Sequence, residues 1–161
     1  MLTWEMIKSE FAWEGSWRDI YVLGASYDDW QRALDAIRAT KLLSTFRVED
    51  DGANAPTNVH DIFALRSTTT PLLSVLVCGV QLNCHFFCES EIEFDLDPRE
   101  IRSQVEFDAV LQFMNTLCVA TGKTTVMTPE NVPEAPFIRV DPSGRVEYIS
   151  TDGYFESLAR G

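Results

Sequence analysis

Residues 91–97 of the chain alternate strictly between acidic and apolar side chains. Side chains of a β-strand point alternately to opposite faces of its sheet, so this pattern predicts a half-buried strand. The apolar face would enter the core with Ile92, Phe94 and Leu96. The other face would carry carboxylates about 6.6 Å apart, those of Glu91, Glu93, Asp95 and Asp97. A slip of one residue would bury all four charges, so the register is strongly specified.

Two segments show the periodicity of an amphipathic helix. The first begins at the N-cap Ser26, and Asp29 is placed to complete a capping box. Its apolar stripe consists of Trp30, Ala33, Leu34 and Ile37. The second begins at Ser103, has Glu106 at the matching position and ends at Gly122, which suits the left-handed residue after a helix. Its stripe consists of Phe107, Val110, Leu111, Met114, Leu117 and Cys118.

Most of the remaining chain is typical of short strands joined by turns. We predict strands at residues 17–23, 42–48, 61–66, 72–78, 82–87, 124–127, 137–140 and 145–149. Residues 79–80 either turn the chain between two of these strands or continue one long bent strand. Residues 50–58 contain Gly, Pro, Asn and Asp and predict a surface loop.

The two ends of the chain give weaker patterns. Residues 4–13 lack a clean period, and we expect them to form a β-hairpin with the strand at 17–23; a short helix at 4–11 is the alternative. A last helical turn is predicted at 154–158. With short turns between consecutive strands, the whole chain predicts a single α+β domain spanning residues 1–161. We expect a mainly antiparallel sheet of about six to eight strands, with the two amphipathic helices packed on one face.

The charge of the chain is strongly acidic. Twenty-five acidic residues against 13 basic ones give a net charge of −12 over 161 residues. Such a field repels nucleic acid and anionic membranes and attracts basic proteins. We therefore expect a basic protein partner and no direct binding to nucleic acid or membrane.

Location and redox state follow from two further features. No basic segment followed by an apolar run is visible at the start, and the apolar runs are strand-sized, so we expect neither a secretory signal nor a membrane span. The cysteines are too few for a disulfide scaffold and sit among apolar residues, where a free thiol behaves as a small hydrophobe. A reducing cytoplasm is expected for Cys78, Cys84, Cys88 and Cys118.

Cys84, His85 and Cys88 form the one constellation that suggests zinc binding or a Cys–His nucleophile pair. On a strand, however, Cys84 and Cys88 would face one way and His85 the other. We therefore predict core thiols beside a hydrogen-bonded histidine. A small hydrolase or transferase that uses Cys84, with His60 or His85 as the base, remains the alternative.

The acidic strand allows several interpretations. Paired carboxylates about 5–9 Å apart serve glycoside hydrolases, but no aromatic-lined cleft is evident beside them. A calcium site needs ligands that converge from a loop, which a flat strand does not provide. The row could be a solvated face, or an edge strand charged to prevent aggregation. It could also bind a basic partner, and this is the interpretation that we develop.

In size, acidity and layout, the chain resembles the small cytoplasmic immunity proteins that bacteria pair with secreted toxins. The resemblance lies in the acidic stretch from Glu89 to Asp97 and in the lack of a catalytic constellation. It implies a non-enzymatic protein that covers the basic cleft of a toxin domain. The partner-binding residues would be Glu89, Glu91, Glu93, Asp95 and Asp97. We assign no catalytic, cofactor-binding or metal-binding residues; a structural or adaptor subunit and a homodimer remain compatible with the sequence.

Overall fold

The computed structural model describes residues 1–152, which form an open antiparallel sheet with helices packed against it. The strands are β1 (Arg18–Leu23), β2 (Leu43–Val48), β3 (Asp51–Ala53), β4 (Pro71–Val77), β5 (Val80–Cys84), β6 (Glu91–Leu96), β7 (Thr125–Pro129), β8 (Ile138–Val140) and β9 (Val146–Tyr148). The helices are α1 (Trp4–Ile7), α2 (Tyr27–Ala39), α3 (Val59–Leu65) and α4 (Gln104–Thr121), with 3-10 turns at Lys8–Phe11 and Pro98–Glu100. Within the described residues, no helix combines the length and the hydrophobicity needed to cross a bilayer.

The predicted α+β class is confirmed, and the described part of the sheet has nine strands where about six to eight were expected. The strand order is β3-β2-β4-β5-β6-β1-β7-β8-β9, with antiparallel pairing throughout. Helix α4 packs on β1, β4, β7 and β8, and α2 packs beside α4. The helices therefore cover one face of the sheet, and we call the opposite side the open face.

The acidic strand β6 is the fifth of the nine strands and pairs with β5 on one side and β1 on the other. Its apolar residues Ile92, Phe94 and Leu96 are at most 1% exposed, as predicted. The Phe94 ring meets Phe113 of α4 edge to face at 5.0 Å. Since β6 lies between two other strands, it is not an edge strand of the sheet, and the interpretation of its charges as protection of an edge against aggregation is not supported.

Both predicted helices and their N-cap residues are confirmed, but the capping box forms only in α2, since at α4 Ser103 and Glu106 bond through their side chains. Ser26 and Asp29 form the capping box of α2, in which each side chain accepts from the other residue's backbone N–H. Ser103 caps α4 by accepting from the Val105 N–H at 3.3 Å. Gly122 ends α4 at φ 68°, in the left-handed region that favours glycine.

Four local predictions are wrong or incomplete. The strand predicted at 82–87 ends at Cys84, and Phe86 beyond it has a positive φ of 55°. Residues 4–11 form α1 and a 3-10 turn, so the alternative holds and the hairpin does not. Residues 61–66 lie in helix α3 and its end because Asn58 caps that helix, accepting from the His60 N–H at 2.8 Å, while Val59 and Ile62 supply a buried face at helical spacing. The predicted loop at 50–58 contains the short strand β3, which pairs with β2.

The connection between β4 and β5 is a tight turn. Cys78 and Gly79 both have positive φ values, of 49° and 82°, and the two strands pair directly on either side of them. The turn predicted at 79–80 is therefore correct within one residue. The helical turn predicted at 154–158 lies outside the described residues.

Candidate acidic binding face

Strand pairing brings four carboxylates together on the open face. Glu91, Glu93 and Asp95 project from β6, and the antiparallel register places Asp19 of β1 directly opposite Asp95. We call Asp19, Glu91, Glu93 and Asp95 the acidic cluster. Tyr21 of β1 lies opposite Glu93. Directly opposed residues of an antiparallel pair point to the same face, so these side chains form one continuous surface.

Two of the five predicted partner-binding residues lie apart from this cluster. The backbone carbonyl of Glu89 accepts from the Trp30 indole of α2 at 2.9 Å, which ties this position to the helical side. Asp97 caps the 3-10 turn that follows β6 and forms an ion pair with Arg99 at 2.8 Å. Its charge is therefore already compensated within the chain.

Neighbouring groups partly bury the acidic cluster. Asp19 is 2% exposed, and its Oδ2 accepts from the Tyr21 hydroxyl at 3.1 Å and from the Asn131 N–H at 2.7 Å. The Tyr21 hydroxyl also lies 3.5 Å from Glu93 Oε1. The Asn131 contact shows that the loop between β7 and β8 crosses this part of the open face. A row expected to stand in solvent is instead half-buried.

A chain of hydrogen bonds from β4 and β5 fixes Asp95. Ser74 donates to Asn83 Oδ1 at 2.9 Å, and the Asn83 amide donates to Asp95 Oδ1 at 3.1 Å. His85 Nε2 lies 3.4 Å from Asp95 Oδ2. The side chain of Asp95 is 22% exposed, so it is held in place while remaining open to an incoming group.

The electrostatics follow from this crowding. Burial, reinforced by the charges of Asp19, Asp95 and Glu91, raises the pKa of Glu93 to about 7. Burial also raises the pKa of Asp19, although the Asn131 and Tyr21 hydrogen bonds oppose the change. The hydrogen bond with Asp95 raises the pKa of His85. The raised pKa of Glu93 shows that its surroundings disfavour a further negative charge in the acidic cluster.

Cations contribute little to this surface. Across residues 1–152, no lysine or arginine forms an ion pair with any of the four cluster carboxylates. His85 approaches one of them, Asp95, and carries a positive charge only when its ring is protonated.

An exposed aromatic residue adjoins the cluster. Phe87 is 54% exposed and stacks on His85, with ring centroids 5.0 Å apart and an interplanar angle of 15°. The guanidinium carbon of Arg66 lies 5.8 Å from the centroid of the Phe87 ring. Phe86, between His85 and Phe87 in the chain, is buried and has a positive φ of 55°, an uncommon conformation for a bulky residue. Sequence reasoning missed Phe87, although its alternation with the buried Phe86 was a usable signal.

The Cys–His constellation is not assembled as a reactive pair. Cys84 is fully buried, and burial raises the pKa of its thiol. Cys88 is exposed, so the prediction of a core thiol is wrong for this residue. Cys78 is exposed as well, and each of the two sits at a turn outside the regular strands. The His60 ring contacts that of Tyr27, with centroids 4.1 Å apart and the planes tilted by 44°. In the part of the chain that the structure describes, no three His, Cys, Asp or Glu side chains are arranged to hold a metal ion.

We compared the chain with protein-family models, curated proteins and solved structures, and none of the three comparisons gave a match.

Proposed function

We propose that this chain is a non-enzymatic binding protein that neutralises or regulates a basic protein partner, in the manner of an immunity protein against a bacterial toxin. The observation that supports the proposal is the acidic cluster: four carboxylates side by side on the open face, with no ion pair to a lysine or arginine of residues 1–152. A lysine or arginine from a partner would supply the missing counter-charge.

Two features of the surroundings suit such a contact. The net charge of −12 would steer a basic partner toward the protein and raise the association rate at low salt. Phe87 offers an exposed aromatic anchor close to His85 and Asp95, and aromatic anchors beside charged groups dominate many interfaces.

Glu93 gives the proposed contact a pH dependence. Its pKa of about 7 means that part of the population is protonated near neutral pH. A partner cation favours the ionised form and would lower this pKa, so binding would release a proton. Affinity is then expected to increase as the pH rises through about 7 and to level off above it.

The partner can be sought by pull-down from native cell lysate at low and high salt, followed by mass spectrometry. A single basic protein that salt releases would support the proposal. The purified pair then permits a charge-reversal test with Glu91→Lys/Asp95→Lys. We expect this double variant to slow association and to flatten its salt dependence.

Asp35→Lys/Asp108→Lys is the matched control, since it makes the same charge change at exposed positions of the helical side. Similar losses in both variants would show that net charge alone attracts the partner, and would count against the acidic cluster as the contact surface.

The burial of Cys84 argues against the alternative of an enzyme that uses this thiol as its nucleophile. A catalytic thiol needs a lowered pKa and access to substrate, whereas Cys84 has neither. Alkylation of the folded protein near neutral pH should therefore modify the exposed Cys78 and Cys88 first. Rapid modification of Cys84 would revive the enzymatic alternative.

A further inference from the structure

A cavity of about 220 Å³ lies between helices α2 and α3 and the outer strands of the sheet, away from the acidic cluster. Its interior is lined by apolar side chains that are at most 7% exposed: Leu34, Ile37, Phe46, Ile62, Leu73 and Phe86. Its rim carries polar side chains, including Ser44 and Asn54. An apolar interior with a few polar groups at the entrance is the usual chemistry of a small-molecule site.

The cavity has a definite origin in the sequence. Ser44 of β2 pairs with Val75 of β4, which is fully buried, so Ser44 points to the helical side of the sheet. Phe46, two residues further along β2, also points to the helical side, and its large ring is buried there. Ala53 of β3, opposite Phe46, is also small. Small, exposed side chains at these two positions on the helical side of the sheet leave this space unfilled.

The segment between β3 and α3 closes one side of the cavity and is firmly attached. Arg38 of α2 donates to the carbonyls of Pro56 and Thr57 at 2.6 and 2.9 Å. Gln31 donates to the Thr57 carbonyl at 2.9 Å and accepts from the Val59 N–H at 2.8 Å. These bonds hold the cavity wall in place, so the space is part of the folded structure.

We propose that this cavity binds a small neutral molecule with an apolar ring system and a single hydrogen-bonding group. A cavity of about 150 Å³ lined by similar side chains accepts benzene, so about 220 Å³ suits a two-ring compound. The polar group would meet Ser44 and Asn54, whose side chains are exposed where the cavity opens to solvent. Arg38 does not call for an anionic ligand, since backbone carbonyls and Asp35 already occupy its guanidinium.

The test is a titration of the full chain, followed by ¹H–¹⁵N NMR, with 2-naphthol, naphthalene and 2-naphthoate. For 2-naphthol we expect saturable one-to-one binding with a dissociation constant below about 1 mM, which is reasonable for about ten non-hydrogen atoms. The shifts should centre on α2, α3 and β2. Naphthalene should bind about three- to tenfold more weakly for want of a hydrogen bond. Tighter binding of 2-naphthoate would overturn the assignment of a neutral ligand.

Two variants at one position provide the control. Ser44→Leu fills the cavity and should abolish binding of all three compounds. Ser44→Ala keeps the space but removes the hydroxyl, so it should retain naphthalene and lose about threefold in affinity for 2-naphthol. Ala53→Leu fills the same space from β3 and replaces Ser44→Leu if that variant does not fold. No saturable shift in the wild-type chain, or equal binding in a filled variant, would overturn the proposal.

Discussion

Asp29 and Glu93 are both carboxylates drawn away from water, yet their surroundings are opposite. Asp29, at the start of α2, is 1% exposed and contacts Lys123 at 2.8 Å and Arg32 at 2.6 Å. It also accepts from the Ser26 N–H at 3.0 Å. Glu93, in the middle of the sheet, has the Tyr21 hydroxyl at 3.5 Å and the carboxylates of the acidic cluster around it.

The pKa values follow this difference. Burial alone would raise the pKa of Asp29, but the hydrogen bonds from Lys123, Arg32 and Ser26 outweigh it and lower the pKa to about 2. Burial and three negative neighbours raise that of Glu93 to about 7. The charged form of Asp29 therefore stabilises the fold, whereas ionisation of Glu93 destabilises it. We infer that Asp29 has a structural role and that Glu93 belongs to a surface which awaits a positive partner.

Removal of Asp29 should have the largest effect on stability. Asp29→Ala deletes half of a capping box and leaves Lys123 and Arg32 without their shared partner, so we expect a loss of about 2–3 kcal/mol in the free energy of unfolding at pH 7. Urea denaturation measures this directly. Asp28→Ala, at the exposed neighbouring position, should cost less than about 1 kcal/mol. Equal losses in the two variants would contradict a structural role specific to Asp29.

The pH dependence of stability should be the next largest effect, and it comes from Glu93. Its pKa is raised in the folded state above the ordinary 4.5, so the stability that the protonated form contributes is complete below pH 4.5 and is lost as the pH rises through about 7. We expect a fall of about 1–2 kcal/mol from pH 5 to pH 8, less than the whole shift implies because water still reaches this side chain.

Asp29 contributes nothing to that slope. Its lowered pKa means that its contribution is complete above pH 3.8 and is lost only as the pH falls through about 2. Glu93→Gln should accordingly remove most of the decline between pH 5 and pH 8 and make the protein more stable at pH 8. Glu5→Gln, at an exposed position of α1, is the control and should leave the slope unchanged. A slope that survives Glu93→Gln would show that the acidic cluster is less crowded than its geometry implies.

Local sequence patterns were enough to predict much of this arrangement. The alternation in residues 91–97 predicted which side chains of β6 enter the core, and the capping signals at Ser26 and Ser103 predicted α2 and α4. These are short-range features that a chain carries in its own periodicity. The strand predicted at residues 61–66 is wrong because a short apolar segment fits both the strand period of 2 and the helix period of 3.6. The Asn58 cap favours the helix that the structure shows.

The composition of the candidate site depended on contacts that no local pattern carries. Asp19 and Tyr21 join the acidic cluster because β1 lies beside β6, although about 70 residues separate them in the chain. The Asn131 contact depends on the path of a loop across the open face. Strand order and loop path are tertiary properties, which explains why the sequence predicted a solvated row of four and the structure shows a half-buried cluster with a different membership.

The smallest expected effect concerns His85, the one group of residues 1–152 that can place a positive charge beside the acidic cluster. Its hydrogen bond to Asp95 raises its pKa, so the stability it contributes is complete below pH 6.5 and is lost as the pH rises through the folded-state value. The His85 side chain is 39% exposed, and such pairs contribute little. His85→Gln should therefore cost about 0.3–0.5 kcal/mol at pH 5.5 and nothing measurable at pH 8.5.

The NMR titration of the His85 ring provides a more sensitive readout of the same contact. Asp95→Asn keeps the side-chain shape but removes the charge, and it should lower the pKa of His85 toward 6.5. Glu5→Lys, which is remote from the open face, should not change it. If Asp95→Asn leaves the pKa of His85 unchanged, then Asp95 is not compensated by His85 at any pH. No positive charge from His85 would then compensate the acidic cluster, and the contrast with the paired carboxylate of Asp29 would be greater than the structure indicates.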